Sequence, residues 1–505
     1  MNDATTPARA HRWLGWASAG AMALIYSLLL LTSNSPLFRA YGADSAIFVT
    51  IGRAIAGGAV PYVDIFDHKG PVIFYINALA QAVWPSVVSV WALEALWLFA
   101  SLLVLRRIAR ALGVRSIWAV GLVQLAYLAL MAVHLDGGNY TEEYCNLFTL
   151  LAIAWGLDVA KAQAPDWRHT LGVGAMFGLC AMTRLNNAMP IAGLVLVLCI
   201  WLFFAHRRAF VRHAAAFVAG IALTVLPFVA YFWAKGALDA FFYAAFTHNM
   251  LYATYVNEDT FSRRWWLASE FGQYAKICGL FAVAGLACGW RAVGREAPGL
   301  RAALIGLVCA AGFAGASALL SRKGYNHYLL TCIPPAVAGC AAVIAMLERL
   351  RLPKIARGAL LGALALAACY TLYVNGEAQM RRANDLLARY PAYDAQCVAL
   401  AEHIPPQERG DVLGYRVEPK WYVASGITPA RRLFFMQEIL AMVDPALIDE
   451  LVDMFENDPP RWLPMAVNRN YPPHLVIHPR VQELIDRRYE SVAINDYNEL
   501  FRLVR

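Results

Sequence analysis

Long apolar runs, separated by short polar segments, occupy most of the chain between residues 14 and 374. About 20 apolar residues are enough to cross a bilayer as a helix, so this pattern predicts eleven transmembrane helices. Their predicted cores are residues 14–33, 87–105, 116–134, 144–160, 170–184, 188–205, 211–233, 276–290, 302–320, 328–347 and 355–374. No small-residue cleavage site follows the first run, which favours an uncleaved anchor over a signal peptide.

The polar segments between the runs alternate in charge. Every second segment is rich in Arg or Lys, as at Arg106–Arg110 and Arg207–Arg212. Because basic residues favour the cytoplasmic side, we predict that the N-terminus is cytoplasmic and that the residues after 375 lie outside. The run Pro71–Val83 would invert this scheme if it crossed the membrane. It is about 13 residues long, so we predict a helix along the outer surface instead.

Residues 376–505 are polar and proline-rich, and their apolar positions come in short strings. The short apolar strings are Asp411–Tyr415, Leu475–His478 and Leu500–Val504. Two longer stretches, Met436–Phe455 and Val481–Tyr489, have the pattern of helices. We therefore predict a polytopic α-helical membrane domain over 1–375, with an external loop at 34–86, and a small external α/β domain over 376–505.

Composition supports a membrane protein and excludes an ordinary soluble one. The chain is 60% hydrophobic and 15% charged, and its mean hydropathy is +0.48. Soluble domains are about 45–50% apolar and about 25% charged. The net charge of +8 follows from the basic segments between spans, so no nucleic-acid partner is implied. The ten cysteines show no metal-ligand spacing, and Cys397 alone falls in the polar tail.

Asp44 comes shortly after the first predicted span, at the start of a charged external loop. An Asp at this place is either a helix cap or a functional carboxylate. A partly desolvated carboxylate has a raised pKa, which suits a general base that deprotonates an attacking hydroxyl. We favour the functional interpretation.

A second acidic segment runs from Asp136 to Tyr144 and joins the third and fourth predicted spans. Glu142 and Glu143 could simply be acids in the first turn of a helix, where the macrodipole favours them. Alternatively, one of them faces Asp44 across a cavity, beside Asn139, and orients a substrate or helps to hold Mg²⁺ or Mn²⁺. The pattern predicts no metal ligand set firmly.

Basic residues on the predicted outer side run against the orientation bias. They are His68 and Lys69 in the first loop and Arg322, Lys323 and His327 before the tenth span. Contact with lipid headgroups explains them in one interpretation. In the other, they bind the phosphate of a lipid carrier and stabilise it as it leaves.

Further pocket candidates surround these groups. Tyr62 and Tyr325 belong to the same two segments, and His248 and Arg263 belong to a long external loop at about 235–275. Glu94 is a carboxylate inside the second span without an evident partner. Arg184 lies in a tight external turn and is either a wall residue of the pocket or a plain turn residue.

The first-loop phrase Asp44-Ser-Ala-Ile-Phe48 … Val60-Pro-Tyr-Val-Asp64 … Asp67-His68-Lys69-Gly-Pro71 resembles the GT-C membrane glycosyltransferases. The likeness is to the clan of protein O-mannosyltransferases and lipid A aminoarabinose transferases. The Lys323–Leu330 stretch, with Pro334 and Pro335 after it, resembles that clan's phosphate-binding segment. Three features depart from the clan's patterns: Ile47 stands where the aminoarabinose transferases have Arg, and a Glu-Glu pair replaces a lone Asp. Some GT-C subfamilies also have an Asp-Asp pair in the first loop, whereas Asp44 is flanked by Ala43 and Ser45.

The resemblance implies an inverting glycosyltransferase of a bacterial inner membrane, with its tail in the periplasm. Asp44 would be the general base, with Glu142 or Glu143 as second acid, and Lys69 would contact the carrier phosphate together with Arg322 and Lys323. The donor would be a decaprenyl- or undecaprenyl-phosphate sugar, and the acceptor a polysaccharide, a lipid or a protein. A flippase of lipid-linked sugars is the alternative, although it would place ionisable groups near the bilayer midplane. An inactive carrier-lipid binding protein is another.

Overall fold

The computed structural model describes residues 6–254, 268–292, 298–321, 325–467, 476 and 478–504, and most of them are helical. The first helices are Thr6–Leu30, Ala43–Ala56, Pro71–Val83, Val87–Leu112, Ile117–His134, Thr141–Lys161, Trp167–Thr183, Met189–Ala205, Arg207–Ala234, Leu238–Phe242 and His248–Thr254. Those that follow are Glu270–Ala292, Pro298–Leu320, Ile333–Arg349, Lys354–Arg389, Tyr393–Glu402, Lys420–Ser425, Glu438–Val443, Ala446–Asn457 and Pro479–Arg488. Short 3₁₀ segments at Leu185–Ala188 and Asn326–Cys332 lead into two of the long helices.

Nine helices within the described residues are long and apolar enough to cross a membrane, so this is an integral membrane protein. The other two predicted spans, 144–160 and 170–184, fall on Thr141–Lys161 and Trp167–Thr183, helices of 21 and 17 residues that do not meet the same criteria. The run Pro71–Val83 forms a separate 13-residue helix, with the bounds that the hydrophobic pattern predicts.

The chain divides into two compact units that do not follow sequence order. We call Met1–Leu37, Trp91–Phe228 and Asn257–Arg382 the membrane unit. The loop-and-tail unit contains Phe38–Val90, Val229–Val256 and Ala383–Arg505. The first external loop thus groups with the C-terminal tail, whereas the predicted domain boundary separates them at residue 375.

The membrane unit has an apolar core of small and branched side chains, such as Leu102, Val123 and Ala336. Small residues let its helices approach closely, as is typical of helix pairs in membranes. A Cβ added to Gly285 would lie 2.4 Å from Cα of Gly339, so the helices Glu270–Ala292 and Ile333–Arg349 touch at their backbones.

The tail forms a small α/β structure within the loop-and-tail unit. Three antiparallel strands, β1 (Trp462–Ala466), β2 (Tyr489–Ile494) and β3 (Asn498–Leu503), pair in the order β1-β3-β2. The string Asp411–Tyr415 hydrogen-bonds along β1, since Leu413 N–H donates to the carbonyl of Trp462 at 3.0 Å. The predicted helix over Met436–Phe455 forms as two, Glu438–Val443 and Ala446–Asn457. The predicted fold class, a polytopic α-helical membrane protein with a small α/β tail, is confirmed.

Direct hydrogen bonds join the tail to the first external loop. Tyr41 donates its hydroxyl proton to Asp394 at 2.9 Å, and Arg53 donates from Nη1 to the carbonyl of Tyr422 at 2.8 Å. Phe66 N–H donates to a tail carbonyl at 2.9 Å. The first loop and the tail are thus joined by hydrogen bonds within one compact unit.

Candidate active site

Asp44 lies in the first turn of the helix Ala43–Ala56 and is partly buried. The N-cap, Gly42, has no side chain to cap the helix, and an acid in the first turn complements the helix dipole. This helix packs tightly on its neighbour, because a Cβ added to Gly52 would lie 2.7 Å from Cβ of Asn77 in the helix Pro71–Val83. Asp44 therefore has a fixed position relative to the start of that second helix.

The loop from Tyr62 to Lys69 leads into the helix Pro71–Val83, and Tyr62 fixes its shape. Its φ is +72°, a value that residues with a side chain seldom adopt. Tyr62 N–H donates to the carbonyl of Ile65 at 2.8 Å, and its hydroxyl donates to the carbonyl of Lys69 at 2.9 Å. The ring is fully buried against three others, those of Phe74, Phe232 and Phe241. These contacts hold a conformation that would otherwise relax.

Lys69 ends this loop in a polar cluster and keeps 14% of its side chain exposed. Its Nζ lies 3.8 Å from Oδ1 of Asp67 and 3.3 Å from Nε2 of His68. Oδ1 of Asp67 also accepts from Lys69 N–H at 2.8 Å. Burial raises the pKa of the Asp67 carboxyl, the Lys69 charge opposes the shift, and the Asp44 charge adds to it. Lys69 is thus a preorganised cation beside the Asp67 carboxyl, on which the charge of Asp44 also acts.

Two imidazoles adjoin Lys69. The His68 ring stacks on Tyr252 with centroids 5.1 Å apart and lies 5.4 Å from the ring of His248. His248 is fully buried, and neither ring nitrogen has a hydrogen-bond partner among the described residues. Burial, with the nearby charges of Lys69 and Arg432, lowers the pKa of His248 to about 4. His248 is therefore neutral at pH 7.

In the membrane unit, Glu94 is held by the turn that precedes Glu142. The backbone N–H of Asn139 donates to Oε1 of Glu94, and Asn34 donates to Oε2 at 3.5 Å. Glu143 hydrogen-bonds with the same carboxyl group. The turn fits because residues 136–139 all have positive φ and Gly138 has no side chain: a Cβ there would lie 2.6 Å from Oε1. Glu94 thus has the partners that the sequence left unnamed.

Glu142 is only 1% exposed and forms an ion pair with Arg184 at 3.1 Å. Its other oxygen accepts from the Thr141 hydroxyl at 2.8 Å. Arg184 donates to the Tyr328 hydroxyl, and its guanidinium lies 3.9 Å from the centroid of that ring. Arg184 is 10% exposed, so this is a buried ion pair. With Tyr328 it joins the helix Thr141–Lys161, the end of the helix Trp167–Thr183 and the 3₁₀ segment Asn326–Cys332.

An aromatic stack lies beside this ion pair. The His327 ring stacks on Tyr140, with centroids 4.5 Å apart, and on Tyr325, with centroids 5.8 Å apart. Tyr325 is exposed, whereas Tyr328 is buried beneath it. The His327 ring is thus the middle ring of a stack, with Tyr140 and Tyr325 as its neighbours.

The candidates from the sequence fall into two groups. The loop-and-tail unit holds Asp44, Tyr62, His68, Lys69 and His248. The membrane unit holds Asn139, Glu142, Glu143, Tyr325 and His327. Arg263, Arg322 and Lys323 lie outside the described residues. Within the part of the chain that is described, no group of three or more His, Cys, Asp or Glu side chains is arranged to hold a metal ion.

Sequence reasoning assigned no organising role to three side chains that hold these groups in place. Asp67 is in the same charged run as Lys69, and Arg184 is a basic residue on the predicted outer side, so both carried a signal. Arg432 carried none, because it lies in the tail, 370 residues from the loop that it contacts.

Two solved structures share this fold. One is the crystal structure of ArnT from Cupriavidus metallidurans bound to undecaprenyl phosphate, with 16% identity, a TM-score of 0.63 and 98% of each chain covered. The other is the same enzyme in the apo state, with 15% identity and the same TM-score and coverage. No family model and no curated protein sequence matches the chain. ArnT is the lipid A aminoarabinose transferase, a GT-C enzyme, so the predicted GT-C-like fold is confirmed.

Proposed function

We propose that this protein is an inverting glycosyltransferase that moves a sugar from a polyprenyl-monophosphate carrier to an external acceptor. The observation that carries the proposal is Lys69, held beside Asp67, whose carboxyl also feels the charge of Asp44, in a chain that shares its fold with ArnT over nearly its whole length. The undecaprenyl phosphate bound to ArnT supports a carrier of the same class here.

In the proposed reaction, Asp44 accepts the proton of an acceptor hydroxyl as that oxygen attacks the anomeric carbon. A new carbon–oxygen bond forms on the face opposite the phosphate, and the bond from the anomeric carbon to the phosphate oxygen breaks. The electron pair leaves with the polyprenyl phosphate. Lys69 binds this phosphate and stabilises the charge that develops on it. His248, which is neutral and buried close by, is available as a hydrogen-bond partner for a substrate hydroxyl.

The membrane-unit acids have another proposed role. Glu142 is neutralised by Arg184, and Glu143 is bonded to Glu94 and to the turn before it. We propose that this second acidic group acts by holding Arg184 and the Asp136–Asn139 turn in place. Arg322 and Lys323 are proposed to add to the phosphate site. The inner membrane, with the tail in the periplasm, is the proposed location.

The test is the release of free polyprenyl phosphate by the purified protein. Undecaprenyl-phosphoryl hexoses and pentoses would be supplied in turn, with a membrane extract as the source of acceptors, and the products followed by mass spectrometry. We expect one donor to be consumed by the wild-type protein and not by Asp44→Asn. Consumption of none, or equal consumption by the variant, would reject the transferase. A flippase would move an intact donor across a vesicle membrane, and an inactive binder would retain it.

A further inference from the structure

Arg432 in the C-terminal tail binds the Tyr62–Lys69 loop through contacts of both its side chain and its backbone. Its Nε donates to the carbonyl of Tyr62 at 2.8 Å, and its guanidinium lies 4.5 Å from the centroid of the Phe66 ring. Its own carbonyl accepts from Phe66 N–H at 2.9 Å. Nη1 pairs with Glu450, which orients the guanidinium from the tail side. A single side chain thus fixes two points of the loop.

The contact continues through Tyr62 to Lys69. Tyr62 has a φ of +72°, a backbone conformation that costs free energy and persists only where its surroundings impose it. Arg432 holds the Tyr62 carbonyl, and the Tyr62 hydroxyl holds the carbonyl of Lys69. If Arg432 were lost, the strained residue would lose a charge-assisted hydrogen bond, and the backbone that carries Lys69 would lose its constraint.

The neighbouring residue provides a comparison that separates this role from simple stabilisation of the tail. Arg431 pairs with Asp411 at 3.1 Å and with Asp458 at 2.8 Å. All three residues belong to the tail, so Arg431 stabilises the tail internally. Arg432 also has such a partner, Glu450, but it directs its Nε to the loop.

We propose that Arg432 is a positioning residue for Lys69, through which the tail sets the geometry of the carrier-phosphate site. This inference rests on the proposed function, in which Lys69 binds that phosphate. It assigns the tail a part in donor recognition, although no tail residue needs to touch the donor.

The test compares Arg432→Ala, Arg431→Ala and Lys69→Ala in the full-length protein in nanodiscs, with undecaprenyl phosphate as the probe. We expect Arg432→Ala to weaken binding about tenfold, the effect of one charge-assisted hydrogen bond, and to raise the KM for the donor but not for the acceptor. Arg431→Ala should stay within about twofold of wild type, since it lowers only tail stability. Thermal unfolding of each variant records that stability separately.

The results for the three variants distinguish failure of the inference about Arg432 from failure of the proposed phosphate site. Weaker binding in Lys69→Ala together with wild-type binding in Arg432→Ala would overturn the inference and leave the proposed function standing. Unchanged binding in Lys69→Ala would overturn the proposed phosphate site itself. If Arg432→Ala does not fold, Arg432→Lys replaces it. Lysine keeps the charge for Glu450 but lacks the planar fork that reaches Tyr62, so we expect an intermediate loss of affinity, and wild-type affinity would again reject the inference.

Discussion

The acidic side chains of the two units differ in what surrounds them. In the loop-and-tail unit, Asp44 is partly exposed at a helix start, and Lys69 adjoins Asp67 with part of its side chain in solvent. In the membrane unit, Glu142 is almost fully buried and neutralised by Arg184. Both groups would look alike in a list of charged residues. On this basis we propose that the first group meets a substrate, whereas the buried ion pair of the second holds its surroundings together.

This contrast has a physical basis. A general base must reach a substrate proton, so it needs an open approach. A buried ion pair has the opposite requirements, because breaking it leaves an uncompensated charge in a medium of low polarity. The comparison therefore makes predictions for catalysis in one unit and for stability in the other.

The largest expected effect is on catalysis at Asp44. Asp44→Asn should lower turnover by ~10²–10⁴-fold, because the amide cannot accept the hydroxyl proton. Binding of undecaprenyl phosphate should be nearly unchanged. The matched control is Asp64→Asn in the same loop, since Asp64 is exposed and accepts from Val60 N–H at 2.7 Å. More than half of the wild-type turnover in Asp44→Asn, or an equal loss in the control, would break the comparison.

The next effect is on stability at Arg184. Arg184→Ala should lower the free energy of unfolding by about 3–5 kcal/mol, because Glu142 would remain buried without its partner. Adding Glu142→Gln should restore part of that loss, and denaturant unfolding of the single and double variants measures it. Arg382→Ala is the control, because its pair with Asp136 is 65% and 54% exposed and should contribute less than about 1 kcal/mol.

The same residues sharpen the comparison when activity is measured. Glu142→Gln alone should reduce turnover by less than about tenfold, since the proposed role of Glu142 is to hold Arg184. A loss as large as that of Asp44→Asn would make Glu142 the second acid of the reaction and would remove the distinction between the two units.

The fold could be read from the sequence to a large extent because the bilayer imposes a length on every span. The helix Pro71–Val83 illustrates this, since a run of 13 residues is shorter than a span and the structure forms it as a separate short helix. The same rule is less decisive where polar residues enter a span. The stretch that begins at Thr141 carries Glu142 and Glu143 in its first turn, and it is not among the helices that meet the length and hydropathy criteria.

The partners of the site residues could not be predicted because they lie far apart in sequence. Glu94 meets the backbone of Asn139, 45 residues away, and Arg432 meets Tyr62 across 370 residues. Charge and hydropathy patterns identify residue types at a given position. They do not encode which two distant segments the fold brings into contact, so the organising roles of Arg184 and Arg432 became evident only in three dimensions.

A smaller effect is expected for the cation of the loop-and-tail unit. Lys69→Ala should raise the donor KM about tenfold or more, the effect of one charge-assisted hydrogen bond, while kcat changes less. Arg39→Ala is the control, because Arg39 is 56% exposed and lies 3.8 Å from Asp394 in the same unit. If both variants raised the donor KM alike, the effect would come from the general positive charge of the unit. The proposal that Lys69 itself binds the carrier phosphate would then be wrong.

The smallest effect concerns His248 and the pH dependence of stability. Burial, with the charges of Lys69 and Arg432, lowers the pKa of His248 from about 6.5 to about 4 in the folded protein. As the pH falls below 6.5, the unfolded chain takes up this proton before the folded one does, so stability is lost progressively down to about pH 4. The loss should reach about 1 kcal/mol near pH 5.5.

His248→Phe keeps a ring against Phe66 and Tyr243 and should flatten this slope of stability against pH, whereas His403→Gln, at an exposed tail position, should not. Equal slopes in His248→Phe and wild type would mean that His248 is not held neutral beside Lys69, and the charge balance assigned to the loop-and-tail unit would then be wrong.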